Sequence, residues 1–195
     1  PYGHFVALPC ADPNALRYQV IATDEQLARL RDLVDSQTDF DQEGPVWQAL
    51  DVAAGIGWVQ AATQDLFIAQ TLNLDLLQGV SFTKGCYPGQ EVVARAHYRG
   101  TVKRRMHLAE MTGVSEDLAA GMDVFDSADP DNPVGRLVSV VPQRDHTLVL
   151  FEAPFKVIEH AAAETNPGGG LRAGKPDGPV LHVKSLPYPL QPPTT

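Results

Sequence analysis

The second half of the chain is cut into short apolar segments by glycine, proline, asparagine and aspartate, and this punctuation limits the folds open to it. After Gly100, the residues Val102, Arg104, Met106 and Leu108 alternate with their neighbours, as a strand with two unlike faces requires. Met122 to Phe125, Val134 to Val141, Thr147 to Phe151 and Val180 to Val183 are further strand candidates. Short strands with turn residues between them predict a small antiparallel barrel or sandwich. The stretch Asn166 to Pro179 (NPGGGLRAGKPDGP) reads as a flexible loop inside that unit, because Val180 to Val183 resumes the pattern. LQPPTT at the end reads as a loose tail.

The first half has a different texture. Pro1 to Leu8 (PYGHFVAL) resembles a strand already under way, and the expectation is a fragment whose N-terminal part lies outside this chain. Arg17 to Ala22 (RYQVIA) is a second short strand. Thr23 then opens a helix, with Gln26 placed for a reciprocal cap and Leu27, Leu30, Leu33 and Val34 on one face. Such a strand and helix form half of an α+β unit, and half a unit cannot close its own sheet. Gly44-Pro45 breaks the chain, and Pro45 suits a first helical position. Val46 to Ala54 reads as a helix with Val46, Trp47, Leu50 and Ala54 on a shared face, stopped by Gly55. Residues 60 to 80 read as mostly irregular, and a boundary falls near residue 100.

Bulk properties exclude some functions. A formal net charge of −9 argues against nonspecific binding of nucleic acid over the whole surface, although it leaves room for a local basic patch. Cys10 and Cys86 are far apart, without a CxxC, so a disulfide scaffold is not indicated and a reducing cytoplasmic compartment is the simplest expectation. No apolar run reaches membrane-spanning length. The histidines show no metal-ligand spacing, and no metal site is expected. Nucleophile-elbow, phosphate-loop and dinucleotide motifs are absent.

One octapeptide carries chemistry. KGCYPGQE, Lys84 to Glu91, sets a thiol between Lys84-Gly85 and the turn dipeptide Pro88-Gly89. Gln90 to Tyr98 (QEVVARAHY) then reads as a helix with Glu91 and Arg95 one turn apart. Two readings stand. In one, the loop is a ligand site: backbone N–H groups at the helix start favour an anion or carbonyl oxygen, and the dipole and Lys84 raise the thiolate fraction of Cys86. In the other, the turn is structural and Cys86 packs as a small apolar group. Beyond the loop, Arg95, Arg99, Lys103, Arg104 and Arg105 place five cations within residues 95 to 105, flanked by His97 and His107. They suit a phosphate backbone or a polycarboxylate tail, and equally a solvated face that balances nearby acids.

KGCYPGQE followed by VVARAHYRGTVKRRM resembles the signature of the YgfZ-type folate-binding proteins. That family is related to the glycine-cleavage T-protein (aminomethyltransferase) and to a mitochondrial assembly factor for iron–sulfur proteins. WQALDVAAGIGWV, TQDLFIAQTLNLDLLQGVSF and the closing LHVKSLPY resemble further family segments, so the likeness spans nearly the whole chain. The resemblance implies an α+β, aminomethyltransferase-like fold whose N-terminal portion is missing here. Residues 1–45 would end a ferredoxin-like middle domain, 46–100 would be a return segment of the folate-binding domain, and 101–190 a C-terminal antiparallel β-barrel. It implies tetrahydrofolate or a derivative as cofactor, bound in a channel between domains. It also implies a role supporting the assembly, repair or activity of iron–sulfur client proteins, including tRNA-modifying enzymes. Lys84, Gly85, Cys86, Tyr87, Gly89, Gln90 and Glu91 are the matched signature, and Arg95 and Arg99 extend it. Cys86 would be the key residue, a reactive or positioning thiol, with Lys84 and the arginines suited to glutamate carboxylates.

One departure bears on the chemistry. True aminomethyltransferases carry a pterin-contacting glutamate where this chain has Ala53, in Asp51-Val52-Ala53-Ala54-Gly55. This disfavours the first alternative, a tetrahydrofolate-dependent one-carbon transferase. The second alternative is a noncatalytic module that docks tRNA or a protein through the basic 95–105 cluster.

Overall fold

The computed structural model describes residues 4–7, 18–33, 45–98, 102–115, 117–163 and 170–190. Strands β1 (His4–Ala7) and β2 (Tyr18–Ile21) pair antiparallel, with Phe5 opposite Val20. Helix α1 (Asp24–Leu33) starts with the predicted reciprocal cap. Thr23 N donates to Gln26 Oε1 at 2.9 Å, and Gln26 N donates to Thr23 Oγ1 at 3.4 Å. Two backbone donors that the helix cannot satisfy by itself are thereby paired. Val34, the last residue of the predicted apolar face, lies outside the described residues.

Helix α2 (Pro45–Ala53) begins at the proline and gives way to a turn at Gly55, whose φ is 70°. Val52 and Ala54 are buried at its end, where the helix meets the barrel, whereas Val46 is 56% exposed. The face read from spacing is therefore shorter than expected: the first turn overhangs the surface that the last turn covers. Gly55 is needed for two reasons. Its backbone is left-handed, and a Cβ there would lie 2.6 Å from Leu186 Cδ2 and 2.7 Å from Tyr188 Oη. From Gly57 to Gly79 the chain is irregular, as expected: one 3₁₀ turn (Ala61–Thr63) and successive turns, with Asp65, Asn73 and Gln78 at positive φ. Helix α3 (Gln90–Tyr98) follows the octapeptide.

The rest is a closed antiparallel barrel, not a sandwich. Its strands are β3 (Arg104–Thr112), β4 (Asp123–Asp126), β5 (Asp129–Pro142), β6 (His146–Pro154), β7 (Leu171–Ala173) and β8 (Val180–Lys184). The order is β3-β6-β5-β4-β7-β8, and β8 returns to β3 through Ala109↔Val183. Closure removes the open edges that would otherwise invite pairing with other chains. Alternation sorts the side chains into two cores. Ala109, Met111, Val124, Leu137, Val149, Phe151, Leu171 and Leu181 fill one, the barrel interior. Met106, Leu108, Val138 and Leu150 point the other way and pack with Val52 of α2 and Leu72 of the irregular segment. Each fully buried Leu or Phe contributes about 1.5–3 kcal/mol.

One expectation is corrected, and two features go beyond the sequence reading. The stretch read as a flexible loop contains β7, with Leu171 and Ala173 wholly buried between β4 and β8. Glycine-rich composition hid a strand too short to show a period. Helix α4 (Phe155–Ala163) was not anticipated; its Val157 joins the interior core, so it stoppers one end of the barrel. β3 does not show one wet and one dry face: Arg105 through Ala109 are all buried, because the outer face is covered by α2 and the irregular segment. Among the described residues no helix is long and apolar enough to cross a membrane.

Candidate functional site

The octapeptide forms an outward loop. Ser81 Oγ accepts from Lys84 N at 3.2 Å and turns the chain toward solvent. Lys84, Gly85 and Cys86 are exposed, and Cys86 is a free thiol. The Lys84 ammonium stands 4.7 Å from the centroid of the Tyr87 ring, a cation–π contact that joins two signature residues. Gly89 has a φ of 79°, which only glycine adopts without strain, and it swings the chain into α3. Gly85 has open space where a Cβ would stand, so packing does not demand glycine there.

The helix start differs from the expected open anion site. Gln90 N donates to Tyr87 O at 3.2 Å and Val92 N donates to Gly89 O at 3.2 Å, so the loop's own carbonyls occupy these donors. Glu91 and Arg95 pair at 3.0 Å as their spacing predicted, both well exposed. No residue of α3 is buried. At its end His97 stacks on Phe82 with ring centroids 3.7 Å apart, and Tyr98 meets both edge-on.

The basic cluster does not form one patch. Arg99 lies outside the described residues. Lys103 is exposed. Arg104 turns to Glu152, its Nη2 donating to Oε2 at 2.9 Å and its Nε to Oε1, and Nη2 also donates to Val134 O at 2.8 Å. The Glu152 carboxylate raises the Arg104 pKa against the opposing effect of burial. Arg105 is buried, with Nη1 and Nη2 on the Asp75 carboxylate at 2.6 and 3.0 Å and Nη1 also donating to Gln70 O at 2.7 Å. His107 is buried between Phe151 and Phe155, and burial pushes its pKa down to about 4. The reason is strand parity. A strand that crosses a covered barrel wall sends successive side chains into two different interiors, so neighbouring cations cannot share a face.

A seam of polar residues joins the loop's helix to the barrel, and sequence reasoning missed it. Gln70 Nε2 donates to Val93 O of α3 at 2.6 Å. Asn73 Nδ2 donates to Met106 O at 2.8 Å and to Tyr188 Oη at 3.2 Å. Tyr188 Oη in turn donates to Gly55 O at 2.7 Å, and burial pushes its pKa up to about 12. The partners stand 23 to 133 positions apart, which no local pattern could reveal. Ala53, where the transferases carry a carboxylate, is exposed on α2; the nearby Asp51 is buried and accepts from Trp58 Nε1 at 2.7 Å.

Fold and loop together define a mixed α+β protein: a closed six-stranded antiparallel barrel, with an outward cysteine loop and its helix tied to the barrel by buried polar contacts. No family model matches the chain. It is 34% identical over 175 residues to the tRNA-modifying protein YgfZ of Escherichia coli O17:K52:H18, covering 88% of this chain and 50% of that protein. It is 42% identical over 93 residues to the tRNA-modifying protein YgfZ of Yersinia pestis (strain Pestoides F), covering 48% of this chain and 28% of that one. The match to the protein of the same name in Yersinia pseudotuberculosis serotype O:1b has the same extent. This chain is therefore a homologue of the YgfZ proteins, and it spans half or less of the length of the relatives it matches.

Proposed function

We propose that the chain is part of a tetrahydrofolate-binding accessory protein that acts in tRNA modification by supporting iron–sulfur enzymes. Its relatives are named for tRNA modification, which supports the general role. The single observation that carries the site is the loop itself: the signature thiol of Cys86 is exposed rather than packed, beside a Lys84–Tyr87 pair that offers a cation and an aromatic face. A turn in which Cys86 served as a small apolar packing group would bury the thiol instead. Lys84, Gly85, Tyr87, Gly89, Gln90 and Glu91 with Arg95 and Arg99 form the site in this reading, with Cys86 as the reactive or positioning group. Residues 1–45 are the end of a ferredoxin-like domain, 46–100 the return segment and 101–190 the barrel domain of an aminomethyltransferase-like whole. Ala53 disfavours the one-carbon transferase. The pairing of Arg104 with Glu152 and the burial of Arg105 against Asp75 disfavour docking of tRNA through the whole 95–105 cluster.

The test is tetrahydrofolate titration of wild type and Cys86→Ala, with alkylation of Cys86 followed by peptide mass spectrometry so that Cys10 is counted separately. Saturable binding that slows Cys86 alkylation is expected. Alkylation at an unchanged rate under saturating folate removes the loop from the site.

A further inference from the structure

A cleft lies away from the octapeptide, on the outer wall of the barrel. It has a volume of about 350 Å³, a size ordinary for small-molecule sites. Its floor is a row of alternating charge. Asp123 on β4 pairs in register with Arg136 on β5, and Arg136 pairs with Glu152 on β6. Cross-strand partners share a face, so these side chains stand in line, and Arg104 reaches Glu152 from β3. Its lining also has an apolar part: Leu66, Phe67 and Ile68 from the irregular segment and Pro133 of β5. Leu66 and Ile68 remain 41% and 40% exposed.

The row is paired internally but not saturated. Arg136 Nε and Nη2 both donate to Asp123 Oδ1, at 3.3 and 3.1 Å. Arg136 Nη1, Arg104 Nη1 and Asp123 Oδ2 make no hydrogen bond among the described residues. Asp123 and Arg136 are each about 40% exposed, where an ion pair is held weakly and can share its partners with a ligand. Two guanidiniums and two carboxylates leave the cleft without net charge. A polyanion gains nothing there, and neither does a simple cation. A molecule with one charge of each sign, close together, and an apolar body matches both the floor and the apolar part of the lining.

We propose that this cleft binds a zwitterionic α-amino acid with an apolar side chain. Its carboxylate takes the free guanidinium N–H groups of Arg136 and Arg104, its ammonium donates to Asp123 Oδ2, and its side chain lies against Phe67, Leu66 and Pro133. Glu152 holds Arg104 in place from below. The site shares no residue with the octapeptide.

The test is a ligand-observed NMR titration of the 195-residue chain with L-leucine, and with its two halves, 4-methylpentanoate and 3-methylbutylamine. Leucine is expected to bind saturably, with each half weaker by about tenfold or more. Arg136→Met and Asp123→Asn should each weaken leucine by about tenfold. Leu66→Ser leaves every charge in place and should also weaken it, which keeps the test valid if a charge variant loses its fold. Three results overturn the proposal: no saturation by leucine up to about 10 mM, binding of 4-methylpentanoate equal to that of leucine, or affinity unchanged in all the variants that fold.

Discussion

His107 should make the barrel acid-labile in a defined pH window. The imidazole is 5% exposed, stands against Phe151 and Phe155, and leaves Nε2 without a partner. Burial disfavours its charged form and pushes the pKa from the ordinary 6.5 to about 4, against a smaller opposing effect from a hydrogen bond with the Ala153 backbone. In the unfolded chain the ring protonates near 6.5, and in the folded chain only near 4. Between those values the unfolded state binds more protons, so stability falls as pH falls. The contribution is complete above pH 6.5, is lost on the way down to about pH 4, and does not change further below that. At about 1.4 kcal/mol per pH unit, the loss is roughly 3 kcal/mol, most of it present by pH 4.5. The assay is urea unfolding of wild type and His107→Phe at a series of pH values from 7 to 4. The variant has no imidazole to protonate, so whatever repacking costs it at pH 7, it should gain on wild type by roughly 3 kcal/mol as the pH falls. A stability difference between the two proteins that is the same at both ends of the series refutes the argument.

Two further substitutions probe what holds the barrel together. Arg105→Met leaves the largely buried Asp75 without its cation, and urea unfolding should show a loss of about 3–5 kcal/mol; adding Asp75→Leu should recover much of it, since the cost lies in the orphaned charge. Leu171→Ala empties a wholly buried position in the short strand β7, and thermal unfolding should report a loss of about 2–5 kcal/mol, whereas a true flexible loop would lose almost nothing.

Local signals were legible because they depend on neighbours in the chain. The Thr23–Gln26 cap, the proline start of α2, the glycine stop at Gly55 and the Glu91–Arg95 pair each follow from residues within a few positions. The octapeptide was legible in the same way, and the exposed thiol that it presents needs no distant partner. By itself the sequence determined where turns and caps fall, that the second half is built of short strands, and which loop is unusual. Tertiary structure alone decided which way each side chain points. Arg104 and Arg105 are adjacent in sequence, yet one lies on the outer wall with Glu152 and the other is buried with Asp75, because a covered strand has two insides. It also decided that Leu171 and Ala173 form a strand, since three residues have too little local preference to declare one and are held only by β4 and β8 on either side. The charged row of the cleft has the same origin: four residues from four neighbouring strands, brought into line by strand pairing and register, a long-range property that no local stretch of sequence encodes.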